Sequence, residues 1–282
     1  MMRLIRMGAR AGLLAVRSMI SGAPAAVIRA VMTLGVIAAF STSAAAQLVP
    51  VPAASERCEV PAYLLTTESR LDHVAAAVKG GRLNILVIGS MSSSLPGTDN
   101  ASRSYPARLE IALRNRLPGV TVDVVVKVMP KRVAADVVRE FAGFAGEYKP
   151  VLTIWQTGTV DAIRMVDADV FYDAMDQGVS VLEQAGSEVL LVNPQYSPRL
   201  ATVMSLTSYL DIMRAVAQQH DVPLFDRFAV MRHWSDTDQF DLASVAKGIE
   251  IASRVHDCIG RALASFVIDA ARIKTTGLSP AK

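Results

Sequence analysis

Short aliphatic and β-branched runs alternate with amphipathic stretches from Leu83 onward, and this alternation constrains the fold more than any other feature of the sequence. The pattern is typical of a parallel sheet whose strands are joined by helices. It predicts strands at 83–89, 120–128, 151–155, 188–193 and 223–225, the second one buried on both faces over most of its length. It predicts helices at 68–79, from Pro106 to about residue 117, at 134–148, 171–185 and 203–220, and at 246–273 in two pieces.

These elements predict an α/β fold, a doubly wound and mainly parallel five-stranded sheet with helices on both faces. The sequence shows no internal repeat and no second composition regime. We therefore expect an N-terminal arm and helix at 47–82, one α/β domain at 83–273 and a small polar tail at 274–282.

The first 46 residues differ from the rest of the chain. They contain five arginines and no acidic residue, and the apolar run at 30–40 is shorter than the roughly 20 residues that span a bilayer. Ala44, Ala45 and Ala46 precede Gln47, as in an A-x-A cleavage site. We expect 1–46 to be a signal peptide, with Met19 as an alternative start, and the protein to be periplasmic or secreted without stable membrane insertion. A retained membrane anchor is the alternative.

The charge balance also depends on that segment. The whole chain has 29 basic and 26 acidic residues, and the five N-terminal arginines account for the excess. Beyond residue 46 the chain is slightly acidic and has no single-sign charge run. Nucleic acid is therefore excluded as the expected partner, because such proteins carry a basic field.

Both cysteines, Cys58 and Cys258, lie beyond the predicted cleavage site. In an oxidising compartment a disulfide between them is the simple interpretation, closing a loop of 200 residues. Two free buried thiols are the alternative, because sequence alone does not show that the two Cα atoms approach each other.

Ligands of a doubly wound sheet bind outside the carboxyl ends of its strands, which here are the loops after Gly89, Val128 and Gln156. The first loop lies within ILVIGSMSSSLPGTDNASRSYPARL (85–109). This segment resembles the opening block of the SGNH hydrolases, the GDSL esterase and lipase superfamily, in an exported bacterial branch. TIWQTGTVDA (153–162) resembles that branch's Gly-Thr-Asn-Asp block, and 192–199, 225–234 and 256–264 are similar to its later segments.

The resemblance covers about residues 58–268 and implies an SGNH, flavodoxin-like three-layer sandwich. For an intact member it implies hydrolysis of acyl or O-acetyl esters without a cofactor. That chemistry needs a serine nucleophile, oxyanion donors from a glycine backbone and an asparagine side chain, and a histidine base oriented by an aspartate.

This sequence departs from the family pattern at each of those places. Aligning Gly89 with the first glycine puts Met91 at the nucleophile, and a thioether has no proton to lose. Val160 takes the asparagine position, and the segment 126–131, where the second block's glycine falls, contains no glycine.

The final Asp-x-x-His block has two alignments. Anchored on Cys258, it falls on Lys247 and Glu250, whereas matching Asp238 to the aspartate puts Asp241 at the histidine position. Neither alignment supplies a histidine. We therefore expect no catalytic residues at the family positions.

A relocated site is the alternative. Ser90 or Ser92 could act as a displaced nucleophile with His233 or Glu250 as its base, although a serine-rich loop after a strand more often caps the next turn. Metal binding is not predicted, because the four histidines lack ligand spacing and Asp236, Asp238 and Asp241 match a calcium loop only loosely.

Two function classes follow, with a third as a possibility. We expect an exported binding or accessory protein that has lost ester hydrolysis but keeps a cleft for a carbohydrate or acyl-ester ligand. An active esterase or deacylase with a relocated nucleophile is the alternative, and a protein partner in an envelope assembly is the third hypothesis. The residues expected to line the cleft are Ser90, Gly158, Thr159 and Asp161.

Overall fold

The computed structural model describes residues 58–243 and 248–274, apart from the side chains of 98–100. The predicted signal peptide, residues 47–57 of the predicted arm and residues 275–282 of the predicted tail lie outside the described residues. Among the described helices, none is both long enough and apolar enough to cross a membrane.

Five strands form one parallel sheet in the order β2-β1-β3-β4-β5, which confirms the predicted fold class. This is the flavodoxin-like order, in which the chain reverses direction across the sheet between β1 and β3. The strands are β1 (Arg82–Gly89), β2 (Thr121–Val128), β3 (Leu152–Gln156), β4 (Glu188–Val192) and β5 (Leu224–Phe225).

Helices cover both faces of the sheet. They are α1 (Asp72–Lys79), α2 (Tyr105–Arg116), α3 (Ala134–Val138), α4 (Phe141–Tyr148), α5 (Thr159–Ile163), α6 (Ala168–Gln184), α7 (Pro198–Val203), α8 (Thr207–Gln219), α9 (Arg227–Asp236) and α10 (Gly248–Ala270). Short 3-10 turns occur at Ala62–Leu64, Met91–Ser93 and Thr98–Arg103.

Alternate residues of β1 point into two separate cores, which gives the fold its three layers. Ile85 and Val87 pack with α1, α2, α9 and α10 on one face. Leu86 and Ile88 pack with α3, α4, α6 and α8 on the other face. An uninterrupted apolar strand such as β1 is therefore buried from both sides, as expected for the centre of a parallel sheet.

The burial predicted for the second strand is wrong. β2 is an edge strand, and of its residues only Val122 is fully buried. Its Val-rich sequence resembles that of a central strand, so composition did not distinguish an edge strand from a central one. The sheet order decides the matter, because β2 has a neighbour only on the β1 side.

Several predicted helices also differ from those observed. The helix predicted at 134–148 is divided into α3 and α4, and the break lets Phe141 pack edge-on against Trp155 at 4.8 Å. The helix predicted at 203–220 corresponds to α8 at 207–219, and the short helix α7 at 198–203 was not predicted. Helix α10 is one continuous helix over 248–270 rather than two pieces. Helix α9 was not predicted, although Asp226 caps it by accepting from the Ala229 amide.

A disulfide joins Cys58 to Cys258, which confirms the predicted pairing. The two Cα atoms are 5.4 Å apart, within the usual range for disulfides. The bridge ties the first described residue to the middle of α10. Next to it, the Trp234 indole N–H donates to the carbonyl of Glu59 at 2.8 Å, so the chain entering the domain is held at two points.

Candidate functional site

The candidate site lies at the carboxyl ends of β1 and β3, where the sheet order reverses. β1 ends at Gly89 and continues into a serine turn, defined here as Ser90, Met91, Ser92 and Ser93. Ser90 caps this turn, because its hydroxyl accepts from the Ser92 amide. A Cβ on Gly89 would lie 2.0 Å from the hydroxyl oxygen of Ser93, so the turn can fold back onto the strand only over a glycine.

Gln156, the last residue of β3, holds the serine turn in place. Its side-chain oxygen accepts from the hydroxyls of Ser90 and Ser92, both at 3.2 Å, and from that of Ser93 at 2.6 Å. The same oxygen also accepts from the Ser90 amide at 3.2 Å. In the described structure, no imidazole or carboxylate lies within hydrogen-bonding distance of these three hydroxyls.

A buried arginine lies behind the turn. Arg227, at the start of α9, donates to the Ser92 carbonyl at 3.1 Å and to the Gln195 side chain at 3.3 Å, and it contacts the Ser92 hydroxyl at 3.4 Å. Burial lowers its pKa to about 10, so the guanidinium stays charged at neutral pH. Among the described residues it forms no ion pair with a carboxylate, which is unusual because a buried charge is costly unless paired.

Tyr105 and His256 complete the buried network. The Tyr105 hydroxyl is hydrogen-bonded to Ser93 at 3.0 Å, and its ring lies 5.3 Å from the Arg227 guanidinium. The Tyr105 amide donates to His256 Nδ1 at 3.0 Å. Burial and then the charge of Arg227 lower the pKa of His256 to about 3, so this imidazole is neutral and serves as a structural acceptor.

A small cavity of about 10 Å³ lies between the serine turn and the loop after β3. Its volume is close to that needed for a single water molecule. The structure brings all four predicted cleft residues to its wall, Ser90, Gly158, Thr159 and Asp161. That a ligand binds there stays a prediction.

Three polar atoms of the residues around this cavity are buried without a hydrogen-bond partner in the described structure. They are Gln156 Nε2, Thr159 Oγ1 and Asp161 Oδ2. Buried polar atoms are normally satisfied, so each of them represents unused hydrogen-bonding capacity. The wall of the cavity is thus suited to a small polar group.

Asp161 connects two of the loops that form the cavity. Its Oδ1 accepts from the Ala134 amide at 2.8 Å, which links the start of α5 to the start of α3. Burial raises the pKa of this carboxyl, against the opposing effect of its backbone hydrogen bonds. Gly158, which precedes α5, has φ 90°, and a Cβ there would lie 3.1 Å from Pro194, so this position also requires glycine.

Two of the residues that the alignment assigns to catalytic positions of the family lie at this end of the sheet. Met91 is in the serine turn and is 55% exposed, and Val160 lines the cavity. That they occupy those positions stays a prediction. In the segment 126–131, Lys131 has φ 59°, a left-handed conformation that favours glycine. The loop therefore keeps a glycine-type backbone although a lysine occupies it.

The residues proposed for a relocated base are not joined to the serine turn by any hydrogen bond in the described structure. His233 lies six residues after Arg227 on α9, about 9 Å further along the helix. Glu250 is exposed in the first turn of α10, and Asp238 and Asp241 are exposed beyond α9. Lys247 lies outside the described residues. In the described structure, no group of three or more His, Cys, Asp or Glu side chains could hold a metal ion.

Sequence reasoning missed the central role of Gln156, Arg227 and His256. A polar residue directly after a buried strand is a signal that could have identified Gln156. Arg227 and His256 gave no such signal, because their burial depends on contacts with residues far away in the chain, such as Tyr105.

Comparison with known proteins decides the family. The family model described as the Non-GDSL lipase-like family matches residues 57–273. The chain belongs to this family. A comparison with curated proteins finds no match.

Solved structures of SGNH-type hydrolases share the fold. TesA is 20% identical, with a TM-score of 0.52, and the match covers 64% of this chain and 97% of TesA. A catalytic mutant of Axe2, an acetylxylan esterase from Geobacillus stearothermophilus, is 16% identical with a TM-score of 0.54, over 66% of this chain and 94% of its own. A two-domain esterase active on acetylated mannans is 13% identical with a TM-score of 0.59. The match covers 77% of this chain and 58% of that esterase. At these identities the likeness concerns the fold alone.

Proposed function

We propose that this family member is an exported, non-hydrolytic protein that binds a carbohydrate or acyl ligand at the strand-end site. One observation carries the proposal. The hydroxyls of Ser90, Ser92 and Ser93 are all hydrogen-bonded to Gln156 rather than to a base. The alignment on Gly89, which assigns Met91 to the nucleophile position, supports the same proposal.

The electrostatics of the site also favour binding over acyl transfer. A serine becomes nucleophilic when a nearby base accepts its proton. The neutral imidazole nearest the turn, His256, accepts from the Tyr105 amide through Nδ1 and contacts no serine hydroxyl in the described structure. The buried Arg227 contacts Ser92 instead, and a cation cannot act as a general base.

The choice of ligand class rests on fold likeness. Two of the structural neighbours are described as esterases of acetylated xylan or mannan. A descendant of such a scaffold would keep a surface for a saccharide or its acyl group after losing the chemistry.

Export follows in this proposal from residues 1–46, and N-terminal sequencing of protein from its native envelope should begin at or near Gln47. A sequence beginning at Met1 would contradict export by cleavage.

Ester hydrolysis is the direct test. Purified protein should hydrolyse neither acetyl nor butyryl p-nitrophenyl esters, nor acetylated xylan, above the rate of buffer. Turnover that is abolished by Ser90→Ala or Ser92→Ala would overturn the proposal and support the relocated nucleophile. Ser94→Ala is the matched control, because the Ser94 hydroxyl donates to the Met91 carbonyl and not to Gln156.

Restoration provides a second test. Met91→Ser alone should remain inactive, since the new hydroxyl has no base and Val160 cannot donate to an oxyanion. Combining it with Val160→Asn, Lys247→Asp and Glu250→His is the smallest set expected to give measurable hydrolysis. The same set with Asp241→His in place of the changes at 247 and 250 tests the other alignment.

A further inference from the structure

We propose that the strand-end cavity binds one oxygen of a ligand carboxylate, so that the protein prefers an acidic ligand, such as a uronate-containing saccharide, to a neutral ester. This inference rests on the proposed binding function and names the chemical class of its ligand. It starts from the three polar atoms that the cavity leaves unsatisfied.

The cavity is lined by a buried donor that has no acceptor. Gln156 is 2% exposed, and its oxygen is occupied by the serine turn while its Nε2 has no partner in the described structure. Thr159 is 8% exposed, and its hydroxyl also has no hydrogen-bond partner in the described structure. In this proposal a ligand oxygen in the cavity accepts from both groups, and the volume of about 10 Å³ is close to that needed for one water-sized group.

The charges around the cavity favour an anionic oxygen. Arg132 lines the cavity and is exposed, so it can reach the second oxygen of a carboxylate. Arg227 contributes a buried positive charge from behind the serine turn, with no ion-paired carboxylate among the described residues. A charge is felt more strongly in such a site than in water, because the surrounding protein screens it less.

The acidic groups at the site do not cancel this charge. Glu140 pairs with Arg132 at 3.1 Å, but both side chains are more than 40% exposed, and exposed ion pairs are weak and easily exchanged. Asp161 also lines the cavity, and its Oδ1 accepts from the Ala134 amide. Burial raises the pKa of this carboxyl, which lowers the cost of protonating it and so lessens its repulsion of a ligand carboxylate.

Binding of matched acidic and neutral probes tests the inference. The purified protein is titrated at low salt with glucuronate and acetate, and in parallel with glucose and methyl acetate. Calorimetry measures the affinity, and the side-chain amide resonances of Gln156 report the location. The carboxylates should bind at least about tenfold more tightly than their neutral partners, as expected for charge-assisted hydrogen bonds, and should shift the Gln156 resonances.

Two variants assign the effect to the site. Arg132→Gln should weaken glucuronate binding about tenfold, whereas Arg139→Gln should not change it, because Arg139 pairs with Asp136 and does not line the cavity. Thr159→Val should weaken binding several-fold without unfolding the protein, since its hydroxyl has no hydrogen-bond partner to lose among the residues that the structure describes.

The outcomes separate this inference from the proposed function. Equal affinity for acidic and neutral probes, an unchanged Gln156 resonance or no effect of Arg132→Gln would overturn the carboxylate preference. Binding of neutral saccharides but not of carboxylates would also overturn the carboxylate preference, but it would support the proposed binding function. Ester hydrolysis by the unmodified protein would instead overturn the proposed function.

Discussion

The contact between α10 and α2 depends on a glycine, and replacing it should weaken the fold by a predictable amount. A Cβ added at Gly260 would lie 2.5 Å from the Cβ of Arg108, 2.8 Å from the Leu109 amide nitrogen and 2.8 Å from the Tyr105 carbonyl oxygen. Two of these three atoms belong to the backbone and cannot rotate away. Because carbon atoms in contact are normally about 3.5–4.0 Å apart, the two helices would have to separate by about 1 Å.

Two opposing terms give the expected magnitude for Gly260→Ala. Forcing extra volume into a packed contact costs about 1–3 kcal/mol. Replacing glycine by alanine within a helix recovers up to about 1 kcal/mol. All three contacts are 2.8 Å or shorter, which places the cost in the upper part of its range, at about 2–3 kcal/mol. The free energy of unfolding should therefore fall by about 1–2 kcal/mol. At about 2–4 °C per kcal/mol for a domain of this size, the melting temperature should fall by about 2–8 °C.

Gly143→Ala is the matched control. Gly143 is exposed within α4, and a Cβ there would meet no atom within 4 Å, so the same substitution should stabilise the protein by about 0.5–1 kcal/mol. Urea unfolding followed by circular dichroism measures both variants against the unmodified protein. If Gly260→Ala is as stable as the unmodified protein, or more stable, the argument from the α2–α10 contact is refuted.

Three further predictions concern stability. Reduction of the Cys58–Cys258 disulfide should lower the free energy of unfolding by at most about 5 kcal/mol, as the loop of 200 residues implies; two alkylatable thiols in unreduced, denatured protein would contradict the bridge. Glu188→Ala should cost about 1–2 kcal/mol in urea unfolding, because the Glu188 carboxylate accepts from two amides at the start of α1 at 2.9 Å; an unchanged midpoint would exclude this capping role. Burial opposes protonation of His220, but hydrogen bonds of its ring to Asp176 and Glu183 outweigh burial and raise its pKa. The stabilising contribution of His220 should therefore be fully present below about pH 6.5 and be lost as the pH rises through the folded-state pKa. If the stability that His220→Gln loses is the same at about pH 5.5 and 8.5, this explanation is refuted.

Much of the fold could be predicted because it is specified by local patterns. The five strands and their parallel arrangement follow from apolar runs separated by helical segments, and the bounds of β1 differ from the prediction by one residue. The place of the candidate site could also be predicted, since the carboxyl ends of parallel strands meet at one edge of the sheet. Met91 and Val160 were assigned to that edge through the resemblance to the family's motifs.

The sequence by itself determined the five strands, their order along the chain and the residue types at the strand ends, because these features depend on neighbours close in the chain. Only the tertiary structure decided what those residues do. The edge position of β2 depends on sheet order, and the convergence of the serine turn on Gln156 depends on β1 and β3 being adjacent. The burial of Arg227, which has no ion-paired carboxylate among the described residues, depends on how α9 packs. Such contacts join residues tens to more than a hundred positions apart, and their energies exist only when the whole sheet and its helices are assembled.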